Sequence, residues 1–286
     1  MFFNQVKRLV DSLRAKGLRN DYIVNSIKEY LQLHALSYIY NNKEYNRRLI
    51  FTGGTCLRFC FNLPRLSEDI DFDYEDGLNF EKLQIDIEQH FKGSLRFPAL
   101  HSALKGQNKK IYLKFPILKE LALSFGDSQI LYLKIEPSQA PLVSKNIEIT
   151  PINREGLYFF IRRYSLPDLM SGKITAFLTR SFFKGKKNEI DFKGRDIFDL
   201  IWYMGQGIQP NLERLTGLLK GTLYQDDNWG NILVKIRERL IKIKREYITI
   251  DLQQFIEDQG MVDNFLDSHL QVFEQYYQEC VGKKIG

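Results

Sequence analysis

Residues 48–74 read RLIFTGGTCLRFCFNLPRLSEDIDFDY, and this stretch decides the fold of the amino-terminal half. A short β-prone run ends at Gly53 and Gly54, and the residues after it are compatible with a helix that stops near the next proline. Over residues 69–74 polar and apolar side chains alternate strictly, which is typical of a strand with one buried face. The stretch therefore predicts a strand, a glycine turn, a helix and a second strand.

The second of these strands carries carboxylates along one face. Because successive side chains of a strand point to opposite faces, Asp69, Asp71 and Asp73 share a face. Aspartate is a poor strand former and stacked like charges repel, so local stability gives no reason for the pattern. Magnesium binds carboxylate oxygens and commonly bridges to substrate phosphates. The strand is therefore either a Mg²⁺ site or a surface strand whose polar side faces water.

The glycine turn before this strand is suited to an anion. Glycine lets the backbone approach a phosphate closely, and a helix that begins near Thr55 supplies free N–H groups and the positive end of its dipole. The turn is not a Walker loop, since no Gly-Lys-Ser/Thr follows, and it is not a dinucleotide fingerprint. Together with the carboxylate strand, the turn indicates phosphate chemistry more specifically than either feature alone.

A lysine in the carboxyl-terminal half falls on an apolar helix face. The spacing predicts a helix over residues 166–178 with Ser165 as its N-cap, and Lys173 lies in the middle of the apolar side. An isolated buried ammonium is very costly. The side chain therefore either extends to solvent along its stem or meets a carboxylate or a phosphate.

Composition and charge limit the class of protein. The chain has 286 residues, of which 44% are hydrophobic and 27% charged, and this excludes intrinsic disorder. No apolar run is long enough for a transmembrane helix, and no signal-peptide core follows the first residues, so we expect a cytoplasmic protein. Three cysteines and four scattered histidines exclude a disulfide framework and a recognisable zinc motif.

Basic residues concentrate in two segments, 180–195 and 231–250. The formal net charge is +6, and each segment contains several lysines and arginines against few acids. Such clusters attract phosphate-rich partners, nucleic acid above all, or else they are solvated helix faces.

The distribution of strand-like runs divides the chain. Short runs punctuated by glycine and proline dominate residues 94–150, and the pattern after Pro151 predicts helices to the end. We therefore predict two domains, residues 1–150 and residues 151–286. The runs that predict strands include 95–97, 111–115, 121–125, 130–135 and 147–149.

Four motifs resemble those of the AbiEii/AbiGii nucleotidyltransferase toxin family. Residues 53–58 and 63–72 resemble its first two motifs, 173–176 its Lys-x-x-Ala motif and 196–199 its Asp-x-x-Asp motif. The resemblance implies an α+β fold, in which a polymerase-β-like nucleotidyltransferase core with a mixed sheet and flanking helices precedes a helical carboxyl-terminal domain. The last part of the chain has no motif support.

The same resemblance implies a role for each motif residue. The residues implied to bind the NTP are Gly53, Gly54, Thr55, Arg58, Ser67 and Lys173. Those implied to be catalytic are Asp69, Asp71, Lys173 and Asp196. Those implied to bind Mg²⁺ are Asp69, Asp71 and, as the third carboxylate of the wider superfamily, Glu136.

Three of these roles have an alternative. Glu136 is equally consistent with a surface glutamate at a strand end, and Arg58 with a helical residue that faces solvent. Asp196 either orients Lys173 or a base, or favours the start of its helix through the helix dipole.

The implied activity is Mg²⁺-dependent transfer of an NMP from an NTP to an acceptor, with release of pyrophosphate. Family members act as toxins of type IV toxin–antitoxin systems, including abortive infection, and some modify the 3′ end of tRNA. We therefore expect tRNA or another RNA as acceptor, a cognate antitoxin as a possible partner, and no membrane. Two alternatives remain: a nucleotidyltransferase that modifies a protein or small molecule, and a non-catalytic, basic RNA-binding module.

Overall fold

The computed structural model describes residues 2–106, 110–124, 128–180 and 193–282. Contacts between residues divide the chain into two compact units. The first comprises residues 1–140 and 147–163, and the second comprises residues 141–146 and 164–286. The strands fall in the first unit, apart from the last residue of the final strand, Tyr164, and the second unit is mainly helical.

The first unit combines a sheet with flanking helices. Its helices are α1 (Phe2–Ala15), α2 (Asn20–Asn41), α3 (Gly53–Phe61) and α4 (Phe80–Gln89), and α4 continues into a π-helical turn (His90–Ser94). Its strands are β1 (Leu49–Thr52), β2 (Ile70–Tyr74), β3 (His101–Lys105), β4 (Lys110–Phe115), β5 (Leu131–Gln139), β6 (Ile147–Arg154) and β7 (Leu157–Tyr164). The succession β1, glycine turn, α3 and β2 is the one that residues 48–74 predict.

The sheet is mixed, with seven strands in the order β3-β4-β5-β2-β1-β7-β6. Strand β2 pairs antiparallel with β1 and parallel with β5, so it lies near the middle of the sheet. In this register Asp71 is opposite Thr52 on one side and Glu136 on the other. The register therefore places a carboxylate of β5 beside the aspartates of β2.

Alternation along the strands separates the core from the polar face. In β4 the side chains of Ile111, Leu113 and Phe115 are buried, and in β5 those of Leu133 and Ile135 are buried. The intervening residues of both strands are polar or charged and are partly buried or exposed. Burial of one face fixes the register, since a shift by one residue would move the charged side chains into the core.

The prediction of helices immediately after Pro151 is wrong. Residues 151–164 complete β6 and form β7, which are joined at Glu155 and Gly156 with φ of 51° and 73°. Two successive residues with positive φ form the turn that matches the twist of a β-hairpin. Glycine adopts this conformation without strain, and the Glu-Gly pair is the local signal of the hairpin.

Two predicted strands are also wrong. In residues 95–97 the backbone N–H groups of Leu95 and Phe97 donate to carbonyls of the preceding helical turn, at 3.1 and 3.0 Å. Residues 121–124 form turns, in which the Leu123 N–H donates to the Leu118 carbonyl at 2.8 Å, and residue 125 lies outside the described residues. The predicted strands 111–115, 130–135 and 147–149 correspond to β4, β5 and β6.

The second unit is built from six helices among its described residues. These are α5 (Leu166–Thr179), α6 (Gly194–Gly205), α7 (Leu212–Leu219), α8 (Trp229–Lys242), α9 (Arg245–Leu252) and α10 (Gln259–Gly282). Helix α5 begins as predicted, because the Ser165 hydroxyl accepts from the Asp168 N–H at 3.3 Å. Helix α5 packs against α6 and α7, and α6 packs against α9 and α10. In the described parts of the chain, no helix is both long and apolar enough to cross a membrane.

Candidate active site

The glycine turn between β1 and α3 lies directly against Asp71. Gly53 has φ of 75°, and a Cβ atom at this position would lie 2.8 Å from Asp71 Cγ and closer still to its Oδ2. Both the conformation and the space therefore require glycine. The turn approaches the carboxylate strand as closely as the sequence pattern predicts.

The rest of the turn contacts the loop that leads into β2. A Cβ atom on Gly54 would lie 2.7 Å from Arg65 Nη2 and 3.1 Å from Ser67 Oγ. The Thr55 hydroxyl donates to the carbonyl of Asp69. The structure therefore brings together the predicted residues of the first two motifs, and it adds the buried Arg65, whose Nη1 donates to the Leu66 carbonyl at 2.8 Å.

Two strands contribute the carboxylates of the first unit. Asp71 on β2 and Glu136 on β5 are neighbours in register, and Asp69 immediately precedes β2. Parallel partners in register point their side chains to the same face, so the three carboxylates predicted to bind metal share one face of the sheet.

Two lysines contact these carboxylates. Lys134 Nζ lies 3.4 Å from Asp69 Oδ2 and also contacts Glu136 Oε1, and Lys110 Nζ lies 3.1 Å from Glu136 Oε2. The sequence pattern did not single out either lysine. Lys134 stands two residues before Glu136 on β5, so strand alternation places both on one face, but only the register of β2 against β5 shows that Asp69 lies within reach.

Burial and charge shift these groups in opposite directions. Burial raises the pKa of Asp69 above its ordinary value, opposed by Lys134 and reinforced by Glu68. Burial also acts to raise the pKa of Glu136, but Lys134 and Lys110 outweigh it and hold that pKa below its ordinary value. The Lys134 ammonium has a raised pKa, because Glu136 and Asp69 stabilise its charge against the effect of burial. This face of the sheet, called below the carboxylate face (Asp69, Asp71 and Glu136), therefore favours a bound cation.

The fit to a metal ion rests on the chemistry of these donors. Among the residues that the structure describes, no group of three or more His, Cys, Asp and Glu side chains is arranged to hold a metal ion. The available donors are carboxylate oxygens, which suit Mg²⁺, and the Lys134 ammonium already stands between two of them as a cation. The residues fit a hard divalent cation in charge and donor type.

Arg58 on α3 is held by an acidic partner. Its Nε donates to Glu29 Oε1 at 2.8 Å, its Nη2 to Glu29 Oε2 at 3.3 Å and its Nη1 to the Leu63 carbonyl at 3.2 Å. These bonds join α3 to α2 and to the loop after α3. The predicted contact of Arg58 with an NTP stays a prediction.

In the second unit, Lys173 meets two carboxylates on α6. Its Nζ lies 2.9 Å from Asp196 Oδ1 and 2.7 Å from Asp199 Oδ2, and the three side chains are nearly or fully buried. Of the alternatives that the sequence leaves open for this lysine, the structure shows the carboxylate partner. Asp196 and Asp199 stand one helical turn apart, so α6 presents both to the same ammonium.

The Lys173 ammonium controls the ionisation of Asp196. Burial acts to raise the pKa of Asp196, but Lys173 outweighs it, assisted by Arg180, and lowers that pKa to about 2. The sequence leaves open whether Asp196 orients Lys173 or a base or favours the start of its helix, and it does not single out Asp199 despite its place in the Asp-x-x-Asp motif. The Asp199 side chain is fully buried, which makes its contact with Lys173 important.

The two basic segments differ in what the structure describes. Residues 181–192, which include Lys184, Lys186 and Lys187, lie outside the described residues. In the second segment several cations contact acids or carbonyl groups. These contacts are Lys235 with Asp227, Arg237 with Glu274, Arg239 with the Phe177 carbonyl and Arg245 with Asp267. Their charge is therefore partly compensated within the fold.

Two solved structures are similar to this chain. The crystal structure of JHP933 from Helicobacter pylori is similar over 91% of this chain and 94% of its own, with a TM-score of 0.50 and 15% identity, which concerns the fold alone. A candidate nucleotidyltransferase from H. pylori matches 88% of this chain and 96% of its own, with a TM-score of 0.48 and 18% identity. A search of curated proteins finds no match.

The family comparison covers both units. The sequence model described as "Nucleotidyl transferase AbiEii toxin, Type IV TA system" matches residues 34–278. This range includes the glycine turn, the carboxylate face and the buried lysine cluster. The α+β fold with a mixed sheet, flanking helices and a helical carboxyl-terminal region is the one that the four motifs imply. The chain therefore belongs to the AbiEii family of nucleotidyl transferase toxins of type IV toxin–antitoxin systems.

Proposed function

We propose that this enzyme uses Mg²⁺ to transfer an NMP from an NTP to the 3′ end of tRNA or another RNA, with release of pyrophosphate. The observation that carries the proposal is the contact between the glycine turn and the carboxylate strand. Gly53 leaves no room for a side chain beside Asp71, so backbone N–H groups that suit phosphate lie next to carboxylates that suit a metal ion.

The proposed roles in the first unit follow from these positions. The backbone of Gly53 and Gly54 binds the triphosphate, while Thr55 and Ser67 hold the loop against the turn. Asp69, Asp71 and Glu136 hold the metal ion. When bound, Mg²⁺ supplies positive charge that lowers the pKa of an acceptor hydroxyl and stabilises the leaving pyrophosphate.

The proposed role of Lys173 comes from its motif. We assign it to the nucleotide phosphates, and we assign Asp196 to positioning it. The structure supports a fixed ammonium, because two carboxylates bind it in a nearly buried setting. A side chain held in one orientation offers a phosphate a defined partner without the entropy cost of ordering a free lysine.

The acceptor is the least constrained part of the proposal. RNA is supported by the formal net charge of +6 and by the basic segment at residues 180–195. The acidic partners of the second basic segment favour a smaller contribution from that segment. A protein or small-molecule acceptor is the alternative that the assay must distinguish.

One assay tests both the reaction and the acceptor. Purified protein is incubated with Mg²⁺ and each of the four labelled NTPs, with total tRNA, with mixed protein or without acceptor. We expect label on tRNA, and we expect Asp71→Asn to reduce it about a hundredfold or more.

Asp73→Asn is the matched control, since Asp73 lies on the same face of β2 and pairs in register with Ser138. We expect it to retain activity within about threefold, because its partner on β5 is a serine and not a carboxylate. Unchanged labelling by Asp71→Asn would contradict the proposed metal site, and label on protein in place of tRNA would contradict the proposed acceptor.

A further inference from the structure

The carboxylate face of the first unit already contains a cation. The Lys134 ammonium contacts Glu136 Oε1 and lies 3.4 Å from Asp69 Oδ2, so it joins a residue of β5 to one that precedes β2. A divalent cation at the proposed metal site needs oxygens of the same two side chains.

Two ammonium groups already neutralise part of this face. Lys134 contacts Asp69 and Glu136, and Lys110 contacts Glu136. A divalent cation added here would place two cations beside the same oxygens. Repulsion between them favours departure of the lysine.

Lys134 is suited to depart. Its side chain is a quarter exposed, and its ammonium ends a flexible four-carbon stem that can reach water while the stem stays in contact with the protein. The energetic cost of this movement is small compared with that of moving a fully buried lysine.

We propose that Lys134 is a displaceable counter-ion, which neutralises Asp69 and Glu136 in the metal-free protein and competes with a divalent cation for their oxygens. Such a competitor lowers the affinity for metal alone. The metal then binds best together with the triphosphate, whose negative charge compensates for both cations. The inference rests on the proposed metal site, but it concerns metal binding and is measured without NTP or acceptor.

The test measures binding of Mn²⁺ to the full chain by calorimetry. We expect Lys134→Met to bind Mn²⁺ about tenfold more tightly than the unsubstituted chain, because the competing charge is gone. Lys110→Met is the matched control: it also removes a positive charge at Glu136, and we expect a gain below about threefold. Adding Asp69→Asn to Lys134→Met should abolish the gain.

The remaining outcomes of the binding experiment would contradict the displacement of Lys134 or the metal site itself. Equal affinities of the unsubstituted chain and Lys134→Met would overturn the displacement alone. An equal gain in Lys110→Met would also overturn it, because the effect would then reflect net charge. Absence of Mn²⁺ binding in every variant would overturn the metal site and the inference together. Circular dichroism checks the fold of each variant, and Lys134→Gln replaces Lys134→Met if the latter does not fold.

Discussion

Lys134 in the first unit and Lys173 in the second each bridge two carboxylates, but the surroundings differ. The side chains of Lys134, Asp69 and Glu136 are 25, 31 and 22% exposed, whereas those of Lys173, Asp196 and Asp199 are 13, 10 and 0% exposed. Water screens the first cluster and its lysine can exchange for another cation, while burial holds the second in one arrangement. Similar chemistry thus gives an exchangeable site in one unit and a rigid one in the other.

The largest expected effect tests the difference in burial directly. Lys173→Met leaves Asp196 and Asp199 as buried charges without their lysine, and we expect the free energy of unfolding to fall by about 4 kcal/mol. Lys134→Met, in the exposed cluster, should cost no more than about 1 kcal/mol. Urea denaturation of both variants measures the two values. Equal losses would contradict the contrast between the clusters.

The second prediction concerns the glycine turn that lies against Asp71. Gly53→Ala combines an unfavourable positive φ with overlap between its Cβ and Asp71, and we expect a loss of about 3 kcal/mol. Gly17→Ala is the matched control, because Gly17 has φ of 72° and no atom within 4 Å of the added Cβ. It should cost about 1 kcal/mol. If both variants lose the same stability in thermal denaturation, Asp71 does not constrain the turn.

The third prediction follows from the lowered pKa of Asp196. A carboxyl whose pKa falls to about 2 on folding stabilises the protein above its ordinary pKa of 3.8, and this stabilisation disappears as pH falls through 2. The shift corresponds to about 2 kcal/mol. Unfolding free energies measured between pH 5 and 2 should therefore decrease less steeply in Asp196→Asn. An unchanged slope would show that Lys173 does not hold this carboxylate ionised.

The smallest expected effect concerns the contribution of partly buried ion pairs to the free energy of unfolding. Arg58 and Glu29 have side chains 29 and 20% exposed, close to the values of the Lys134 cluster. A double-mutant cycle of Arg58→Gln and Glu29→Gln should give a coupling energy of about 1 kcal/mol. The KM for NTP in the same variants tests the nucleotide contact predicted for Arg58. A raised KM in Arg58→Gln, with Glu29→Gln unaffected, would support that contact.

Local sequence patterns predict the first half of the site well. Residues 48–74 specify β1, the glycine turn, α3 and β2, because each transition depends on neighbouring residues. The spacing around Lys173 likewise predicts α5 and its N-cap at Ser165. These elements are determined by periodicity, capping and glycine conformation, which are all short-range effects.

Periodicity and spacing do not reveal contacts between distant strands, and Glu136 was predicted only through the resemblance to the family. The pairing of Asp71 with Glu136 depends on the register of β2 against β5, and the role of Lys134 follows from that register alone. The β6–β7 hairpin was missed because residues 157–161, which follow its turn at Glu155 and Gly156, form an unbroken apolar run. Periodicity alone does not assign such a run to a strand or to a helix. The importance of Asp199 depends on burial, which alternation and spacing do not give.

The parallel pairing of β2 with β5 also has a consequence for the newly made chain. During synthesis, β2 is completed before residues 75–130 and β5 have been added. Until β5 is made, Asp71 has neither its parallel neighbour Glu136 nor Lys134 near it. Pairing of β2 with β5 closes a long loop, so this part of the sheet forms late and slowly. A nascent chain that stops short of β5 therefore lacks two of the charged side chains that stand beside the aspartates.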